Sequence, residues 1–185
     1  MNTVITSKEA ILAASKQIAA REGLANLSIR EISKQCGIAV GSVYNYFPSI
    51  DAIVAETIGA IWDELIEQAQ VFSGECNFVA AVEQFFSMAK KGTEKYPNFL
   101  SIHSRSFHSA GKDEGKLKMT AYSTSVCERL IAVLKADSGV SPQAFGPEFD
   151  QASFVGFVRK SMITLLQNQS DDCRILVHMI SRTIY

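Results

Sequence analysis

Apolar residues recur every three or four positions along most of the sequence, which is the spacing of one face of an α-helix. The first such stripe consists of Ile11, Ala14 and Ile18. Thr6 and Glu9 stand before it at the spacing of a capping box, and Gly23 predicts a left-handed residue at the helix end. The sequence therefore predicts an amphipathic first helix that closes at this glycine.

Two much shorter elements follow in the segment SIREISKQCGIAVGSVYNYF, residues 28–47. Ser28 and Glu31 form a second capping box at the start of a short helix. Ile29 and Ile32 are its inward residues, and a Cys-Gly pair ends it after about two turns. Because helices this short are marginal on their own, they need support from neighbouring helices.

The second short element runs from Val40 to Phe47 and stops at Pro48, which has no backbone N–H to donate. Ser49 then caps a long helix whose apolar stripe is Val54, Ile58, Ile61 and Leu65. Two capped short helices joined by a glycine turn are typical of a helix-turn-helix. The residues that face the supporting helices are Ile38, Val43 and Phe47. The opposite face, which a major groove about 12 Å wide can admit, carries Val40, Gly41, Tyr44 and Asn45.

The remainder of the chain shows the same helical spacing. One helix carries Phe78, Val82, Phe85 and Ala89 and ends near Tyr96-Pro97. A shorter helix over 99–107 and a polar loop over 109–116 come next. Three further helices are marked by Met119, Tyr122, Val126, Leu130 and Leu134, by Phe154, Val158, Met162 and Leu165, and by Leu176, Met179, Ile180 and Ile184. No stretch alternates in the manner of a β-strand, so the predicted fold class is all-α.

The composition predicts a soluble globular protein. The 185 residues carry 18 basic and 19 acidic side chains, and no apolar run approaches the ~20 residues of a membrane span. The N-terminus lacks the regions of a secretory signal, and the four cysteines are widely separated, which favours reduced thiols and a cytoplasmic location. The first 50 residues hold five basic and three acidic side chains, a small positive excess in the direction of a DNA-binding head.

Residues for catalysis or metal binding do not form a recognisable pattern in the sequence. There is no H-E-x-x-H, P-loop or G-x-S-x-G motif. His103 and His108 are five positions apart, on different faces of a helix, and no C-x-x-C pair occurs. We therefore expect no enzyme activity, no metal site and no cofactor.

The segment from Ile5 to Leu65 resembles the head of the TetR family of bacterial transcriptional regulators. The resemblance rests on the motif GIAVGSVYNYFPS, set between the first helix with its Gly23 and the following long helix. It implies a three-helix DNA-binding domain at 5–65, with the helix-turn-helix at 28–47, and a helical effector-binding and dimerisation domain at 66–185. It also implies a homodimer on a palindromic double-stranded operator, and repression that a small-molecule effector relieves.

The resemblance assigns roles to individual residues of the motif. The phosphate-contacting positions correspond to Ser28 and Tyr46, and the base-reading positions correspond to Arg30 and the recognition helix. The complete set of expected DNA-binding residues is Ser28, Arg30, Val40, Gly41, Ser42, Tyr44, Asn45 and Tyr46. Phosphate contacts fix the register on the duplex, whereas base contacts select its sequence.

Two positions depart from the family's pattern. Ile50 stands where a phosphate-binding Lys is common, and Val40 stands where the recognition helix often has a Lys. Each missing phosphate contact removes roughly one ion from the salt dependence of binding, so we expect modest affinity and a shallow salt slope. Val40 against a thymine methyl and Asn45 on an adenine edge predict half-sites rich in A·T pairs.

The second domain is expected to hold the dimer interface and an effector pocket. The last two helices offer more apolar surface than a hairpin needs, and the interface candidates are Phe154, Phe157, Val158, Met162, Leu165, Leu176, Met179 and Ile180. The pocket candidates are aromatic or sulfur-containing, with one histidine as a polar anchor: Phe85, Phe86, Met88, Phe99, His103, Phe107, Met119 and Tyr122. Ordinary core packing is the alternative use of each of these residues.

Regulation is expected to pass through the fourth helix, which starts beside the motif and carries Trp62 further along. An effector that prefers the released state would shift this helix and turn the heads out of groove register, with a coupling of about 1–3 kcal/mol. The alternative is a helix-turn-helix factor that organises DNA or recruits a protein without any effector.

Overall fold

The computed structural model describes residues 6–69, 76–100 and 112–185. In chain order its elements are α1 (Lys8–Glu22), a short 3-10 turn (Leu24–Asn26), α2 (Ile29–Cys36), α3 (Val40–Tyr44), α4 (Ile50–Ala69), α5 (Phe78–Lys95), α6 (Lys112–Ala136), α7 (Gln151–Gln167) and α8 (Arg174–Ile184). Within these residues the β pairing is limited to one isolated bridge between Gly146 and Phe149, so the all-α fold class is confirmed. None of the helices in the described part has the length and apolar character that crossing a membrane requires.

The chain divides into two compact units. The first comprises Met1–Glu64 and Gly92–Ala121, and the second comprises Leu65–Lys91 and Tyr122–Tyr185. Helices α4, α5 and α6 each contribute residues to both units, so the units are not two consecutive stretches of sequence.

Helix α1 begins at a serine cap. The Ser7 Oγ accepts a hydrogen bond from the Ala10 amide at 3.2 Å, and the Ser7 backbone is extended. The prediction that Thr6 caps this helix is therefore wrong by one position. The Thr6 carbonyl instead accepts the Tyr46 hydroxyl at 2.6 Å, which holds Thr6 outside the helix. The predicted inward residues are buried: Ile11, Ala14 and Ile18.

The end of α1 depends on the backbone of Gly23. Its φ of 84° is positive, as predicted, but its ψ of 153° lies outside the left-handed helical region that the sequence predicted. A Cβ at this position would lie 3.2 Å from the Pro97 carbonyl oxygen. Both the positive φ and this close approach favour glycine.

Helix α3 ends three residues earlier than the sequence predicts. Asn45 caps it with φ −69° and ψ −20°, and the Phe47 amide still bonds to the Val43 carbonyl at 3.1 Å. The residue before a proline avoids helical backbone, so the helix loosens into a turn ahead of Pro48. Ser49 caps α4 as predicted, because its Oγ accepts the amide three residues on at 3.1 Å.

The second unit has a core of aromatic and aliphatic side chains from α5, α6, α7 and α8. The predicted stripes are buried, with Phe78, Val82, Phe85 and Ala89 on α5 and Val126, Leu130 and Leu134 on α6. The Phe78 ring packs against Phe154 of α7 with centroids 5.8 Å apart, and the Phe78 amide donates to Asp137 Oδ2 at 2.8 Å. These contacts join the start of α5 to the end of α6 and to α7.

One predicted loop is a helix in the structure. Helix α6 begins at Lys112, so the prediction of a loop over 109–116 is wrong from Lys112 onward. The polar residues there misled the prediction because the outer face of a helix can be as polar as a loop. Residues 101–111, and with them most of the helix predicted over 99–107, lie outside the described residues.

Candidate nucleic-acid interface

The turn between α2 and α3 has the geometry that the sequence predicts. The Ser28 Oγ accepts the Glu31 amide at 3.2 Å and so caps α2. At the other end Gly37 is left-handed, with φ 67° and ψ 29°, and its amide donates to the Lys34 carbonyl at 3.2 Å. Only a residue without a Cβ adopts this conformation readily, so Gly37 sets the direction in which α3 leaves the turn.

The inner side of α3 is anchored in the core of the first unit. Val43 and Phe47 are fully buried, as is Ile32 on α2, whereas Ile29 and Ile38 are half-buried. A five-residue helix has little stability of its own, so these buried side chains fix its position. The outward face of α3 is consequently held rigidly.

That outward face is open to solvent and carries the predicted recognition residues. Tyr44 is 52% exposed and Val40 is 41% exposed, while Gly41 and Asn45 are also exposed and Ser42 is half-buried. A Cβ added to Gly41 would meet no atom within 4 Å, so the surface there is unobstructed. An exposed aromatic and an exposed amide on a short, supported helix can reach base edges in a major groove.

The structure changes the expected role of Tyr46. Its hydroxyl donates to the Thr6 carbonyl at 2.6 Å, and this bond fastens the residues ahead of α1 to the turn after α3. The hydroxyl proton is therefore already used within the protein. The Tyr44 hydroxyl, by contrast, has no hydrogen-bond partner among the residues that the structure describes.

Helix α2 presents a pair of cations beside the recognition face. Arg30 and Lys34 are both exposed and lie four residues apart, on one side of the helix. Neither forms an ion pair within the described parts of the chain. Lys8 is differently placed, because its Nζ lies 2.7 Å from a Glu56 carboxylate oxygen. Sequence reasoning missed Lys34, although its spacing from Arg30 was available.

A partly buried charge cluster links three helices of the first unit. The Glu64 carboxylate accepts hydrogen bonds from Lys16 Nζ at 2.6 Å, from Lys95 Nζ at 2.6 Å and from the Tyr96 hydroxyl at 3.1 Å. Burial acts to raise the pKa of Glu64, but these hydrogen bonds outweigh it and lower the pKa to about 2. The cluster joins α1, α4 and the end of α5 inside the first unit.

The second unit contains a cleft of about 580 Å³. It is lined by two residues from the end of α4 and five from α5, namely Leu65, Gln68, Glu83, Gln84, Ser87, Met88 and Lys91. Its volume is in the range of small-molecule sites. We call it the α4–α5 cleft.

Among the described members of the expected effector pocket, Met88 alone lines this cleft. Phe85, Phe86 and Phe99 are buried core residues, and Phe99 packs against Trp62 with ring centroids 5.0 Å apart. His103, Phe107 and the side chains of Met119 and Tyr122 lie outside the described residues. The polar residues of the cleft were missed because they occupy a solvent-facing stripe of α5.

The dimer candidates divide into an inner and an outer group. Phe154, Val158, Met162, Leu176 and Ile180 are buried within the chain itself. The outer group comprises Phe157 at 56% exposure, Met179 at 54% and the half-buried Leu165. Ile175, which sequence reasoning missed, is 78% exposed and lies one turn before Met179. These outer residues form an apolar surface on α7 and α8.

No group of His, Cys, Asp and Glu in the described residues is arranged to hold a metal ion. The four cysteines are free, and burial raises the pKa of the Cys36 and Cys173 thiols. In the part of the chain that the structure covers, the first unit has its candidate nucleic-acid contacts on the exposed face of α3 and α2.

A short helix that presents a polar and aromatic face from a buried base is typical of the second helix of a helix-turn-helix. Residues 11–57 match the model of the bacterial regulatory proteins of the tetR family. This match bears out the resemblance to that family in the segment that carries the motif. An HTH-type transcriptional regulator of Haemophilus influenzae is 29% identical over 119 residues, which cover 60% of this chain and 58% of that protein. The chain spans about half the length of the curated relatives it matches.

The fold is similar to those of solved regulators. A transcriptional regulator from Rhodococcus sp. Rha1 superposes with a TM-score of 0.67 at 18% identity, covering 97% of this chain and 98% of that one. The transcriptional regulator FadR from Bacillus subtilis, solved in complex with stearoyl-CoA, gives a TM-score of 0.62 at 16% identity over 96% and 95% of the two chains. At these identities the likeness establishes the fold.

Proposed function

We propose that this chain is a sequence-specific DNA-binding repressor that acts as a homodimer and leaves its operator when a small molecule binds. The observation that carries the proposal is the exposed face of α3, held from behind by Val43 and Phe47. The match of residues 11–57 to the tetR-family model supports the class of function. A transcriptional regulator needs no catalytic group, in keeping with the absence of catalytic motifs from the sequence.

The contacts to DNA divide between position and readout. Ser28 caps α2, and Arg30 and Lys34 are exposed on that helix, so the three supply a hydroxyl and two cations for phosphate oxygens. Arg30 is also proposed to contact a base edge. The residues that read the base sequence are those of the outward face of α3 and its C-terminal cap, namely Val40, Gly41, Ser42, Tyr44 and Asn45. Tyr46 acts indirectly, through its bond to Thr6.

The sequence preference follows from the chemistry of α3. Val40 offers a methyl surface that suits the thymine methyl, and the Asn45 amide can pair with an adenine edge. α3 contains no basic residue, so a guanine-reading contact is not available from it. We therefore expect inverted-repeat half-sites rich in A·T pairs.

Selection from a randomised duplex library with the purified full chain tests this function. The expected result is enrichment of a palindrome with A·T-rich half-sites whose centres lie about one helical turn apart. Enrichment of G·C-rich half-sites would contradict the readout by Val40 and Asn45. Failure to enrich any duplex at low ionic strength would contradict DNA binding itself.

The homodimer is proposed on the apolar surface of α7 and α8. Phe157, Ile175 and Met179 each expose more than half of their side chains, although the residues beside them are buried. Exposed apolar residues grouped on adjacent elements mark interaction surfaces. A second copy of the chain is the occupant, because two heads are needed to read a palindrome.

The effector is proposed to bind in the α4–α5 cleft. Two lining residues, Leu65 and Gln68, belong to α4, and that same helix begins directly after the recognition turn. A ligand that prefers one position of α4 changes the affinity for DNA by its differential binding, by about 1–3 kcal/mol. The structurally similar FadR is bound to stearoyl-CoA, whereas the cleft here combines apolar surface from Leu65 and Met88 with charged side chains from Glu83 and Lys91.

A further inference from the structure

Polar side chains in the α4–α5 cleft have no partner within the described chain. Gln68, Glu83, Gln84, Ser87 and Lys91 all line it, and none of them forms a side-chain hydrogen bond or ion pair with another described residue. The adjacent lysine on the same helix behaves differently, since Lys90 Nζ lies 3.1 Å from Asp171 Oδ1. The chain therefore leaves these five polar groups available at one concave surface.

The two charged groups lie at opposite ends of this stripe. Glu83 and Lys91 are eight residues apart on α5, which places their Cα atoms about 12 Å apart along the helix axis. Gln84 and Ser87 lie between them, on the same side of the helix. Burial raises the pKa of the Cys173 thiol, and the negative charge of Glu83 raises it further.

The floor of the cleft between these charges is apolar. Leu65 and Met88 are both nearly buried and reach the cleft surface with the rest of the lining. A thioether and an isobutyl group favour contact with an aliphatic chain. The site thus has a negative end, an apolar middle and a positive end.

We propose that the cleft binds a linear zwitterion, whose ammonium group pairs with Glu83, whose aliphatic body lies on Leu65 and Met88, and whose carboxylate pairs with Lys91. Its role as the releasing effector rests on the proposed function, whereas the binding itself does not. A singly charged chain of the same length leaves one end of the cleft without a partner and an uncharged chain leaves both, and this difference gives the site its selectivity.

Isothermal titration calorimetry on the full chain with 8-aminooctanoate tests the ligand class, with octanoate and octylamine as singly charged comparators. The zwitterion should bind at least about tenfold more tightly than either comparator, the equivalent of about 1.4 kcal/mol. Glu83→Gln should abolish the preference over octanoate, and Lys91→Gln should abolish the preference over octylamine. Both residues are exposed, so the folded state should survive and circular dichroism checks it.

Charge reversal provides the decisive control. The double variant Glu83→Lys with Lys91→Glu should bind the zwitterion in the opposite orientation and recover the preference over both comparators. Glu94→Gln and Lys135→Gln, exposed changes outside the cleft, should leave all three affinities unchanged. Octanoate binding as tightly as the zwitterion, absence of any binding heat, or a preference that survives Glu83→Gln would overturn the proposal.

Operator binding by the same preparation separates this proposal from the proposed function. Retained binding of the selected operator without any zwitterion preference overturns the ligand class and leaves the regulator intact. A wild-type chain that shows the zwitterion preference but retains no duplex contradicts the regulator and supports the site.

Discussion

At the scale of single residues, the head depends on an ion cluster as well as on apolar burial. Glu64 receives three hydrogen bonds from two lysines and a tyrosine, and its side chain is only 18% exposed. Losing the carboxylate of such a cluster leaves two partly exposed lysines without their hydrogen-bond acceptor. Among the ion pairs of the described residues this one connects the largest number of elements, which makes Glu64 the residue to test.

The pH dependence of stability reports the Glu64 cluster. Because the folded pKa is lowered from 4.5 to about 2, the carboxylate contributes stability above pH 4.5 that is lost as the pH falls towards 2. Near neutral pH, Glu64→Gln should lower the free energy of unfolding by about 2–3 kcal/mol, and the difference should vanish near pH 2. Urea denaturation across this pH range measures it. The exposed Glu94→Gln should change little, and a Glu64→Gln penalty that persists at pH 2 would rule out the electrostatic cause.

At the scale of elements, short helices are positioned by their ends. Gly23 has a φ of 84° and a neighbouring Pro97 carbonyl where a Cβ would lie, whereas Gly41 is inside α3 with open space around it. A methyl group added at Gly23 strains the backbone. The same group added at Gly41 removes backbone flexibility from a helical position. Gly41→Ala therefore serves as the control for Gly23→Ala.

Thermal unfolding of two alanine variants checks this reading. Gly23→Ala should destabilise the chain by about 1–3 kcal/mol, since it combines a disfavoured φ with a tight contact. Gly41→Ala should be neutral or stabilise by up to about 1 kcal/mol. Equal effects of both substitutions would show that the end of α1 is not set by its glycine.

The recognition element could be predicted from the sequence because its determinants are local. Ser28, Gly37 and Pro48 act on bonds within four residues of themselves, so their spacing alone predicts the caps and the turn. The sequence prediction places the cap of α1 at Thr6, one position before the observed cap, because the bond from Tyr46 that holds Thr6 outside the helix spans forty residues of sequence. Local patterns contain no information of that kind.

The α4–α5 cleft could not be predicted for the same reason. Glu83, Gln84 and Ser87 read as an ordinary solvated stripe of a helix until the end of α4 is seen beside them. The aromatic residues chosen for a pocket, such as Phe85 and Phe86, fill the core instead. Burial favours the large apolar side chains first, so a polar site is left to residues that carry no distinctive pattern.

At the scale of the whole molecule, the proposed function requires two copies of the chain, because two heads are needed to read a palindrome. Ile175 and Met179 lie one turn apart on α8 and are among the most exposed apolar residues of the described chain. A monomer gains nothing from this surface, whereas a partner copy would bury it. The same two helices contribute buried residues to the core, so the interface rests on a rigid base.

Light scattering at micromolar concentration tests the dimer. The wild-type chain should give twice the monomer mass, and Met179→Glu should weaken dimerisation by at least about 2 kcal/mol, roughly thirtyfold in the dissociation constant, because it buries an unpaired charge. Lys135→Glu introduces the same residue at an exposed site of α6 and should leave the dimer intact. A monomeric wild-type chain would refute the interface.

The most direct test of the central claim is the affinity of the full chain for its selected operator, measured by fluorescence anisotropy with Asn45→Ala and Gln143→Ala in parallel. Asn45 is on the exposed face of the recognition turn, and Gln143 is an exposed loop residue of the second unit. We predict that Asn45→Ala costs about 1–3 kcal/mol of binding free energy and that Gln143→Ala costs nothing measurable. Equal operator affinities for Asn45→Ala and the wild-type chain would contradict readout by this face.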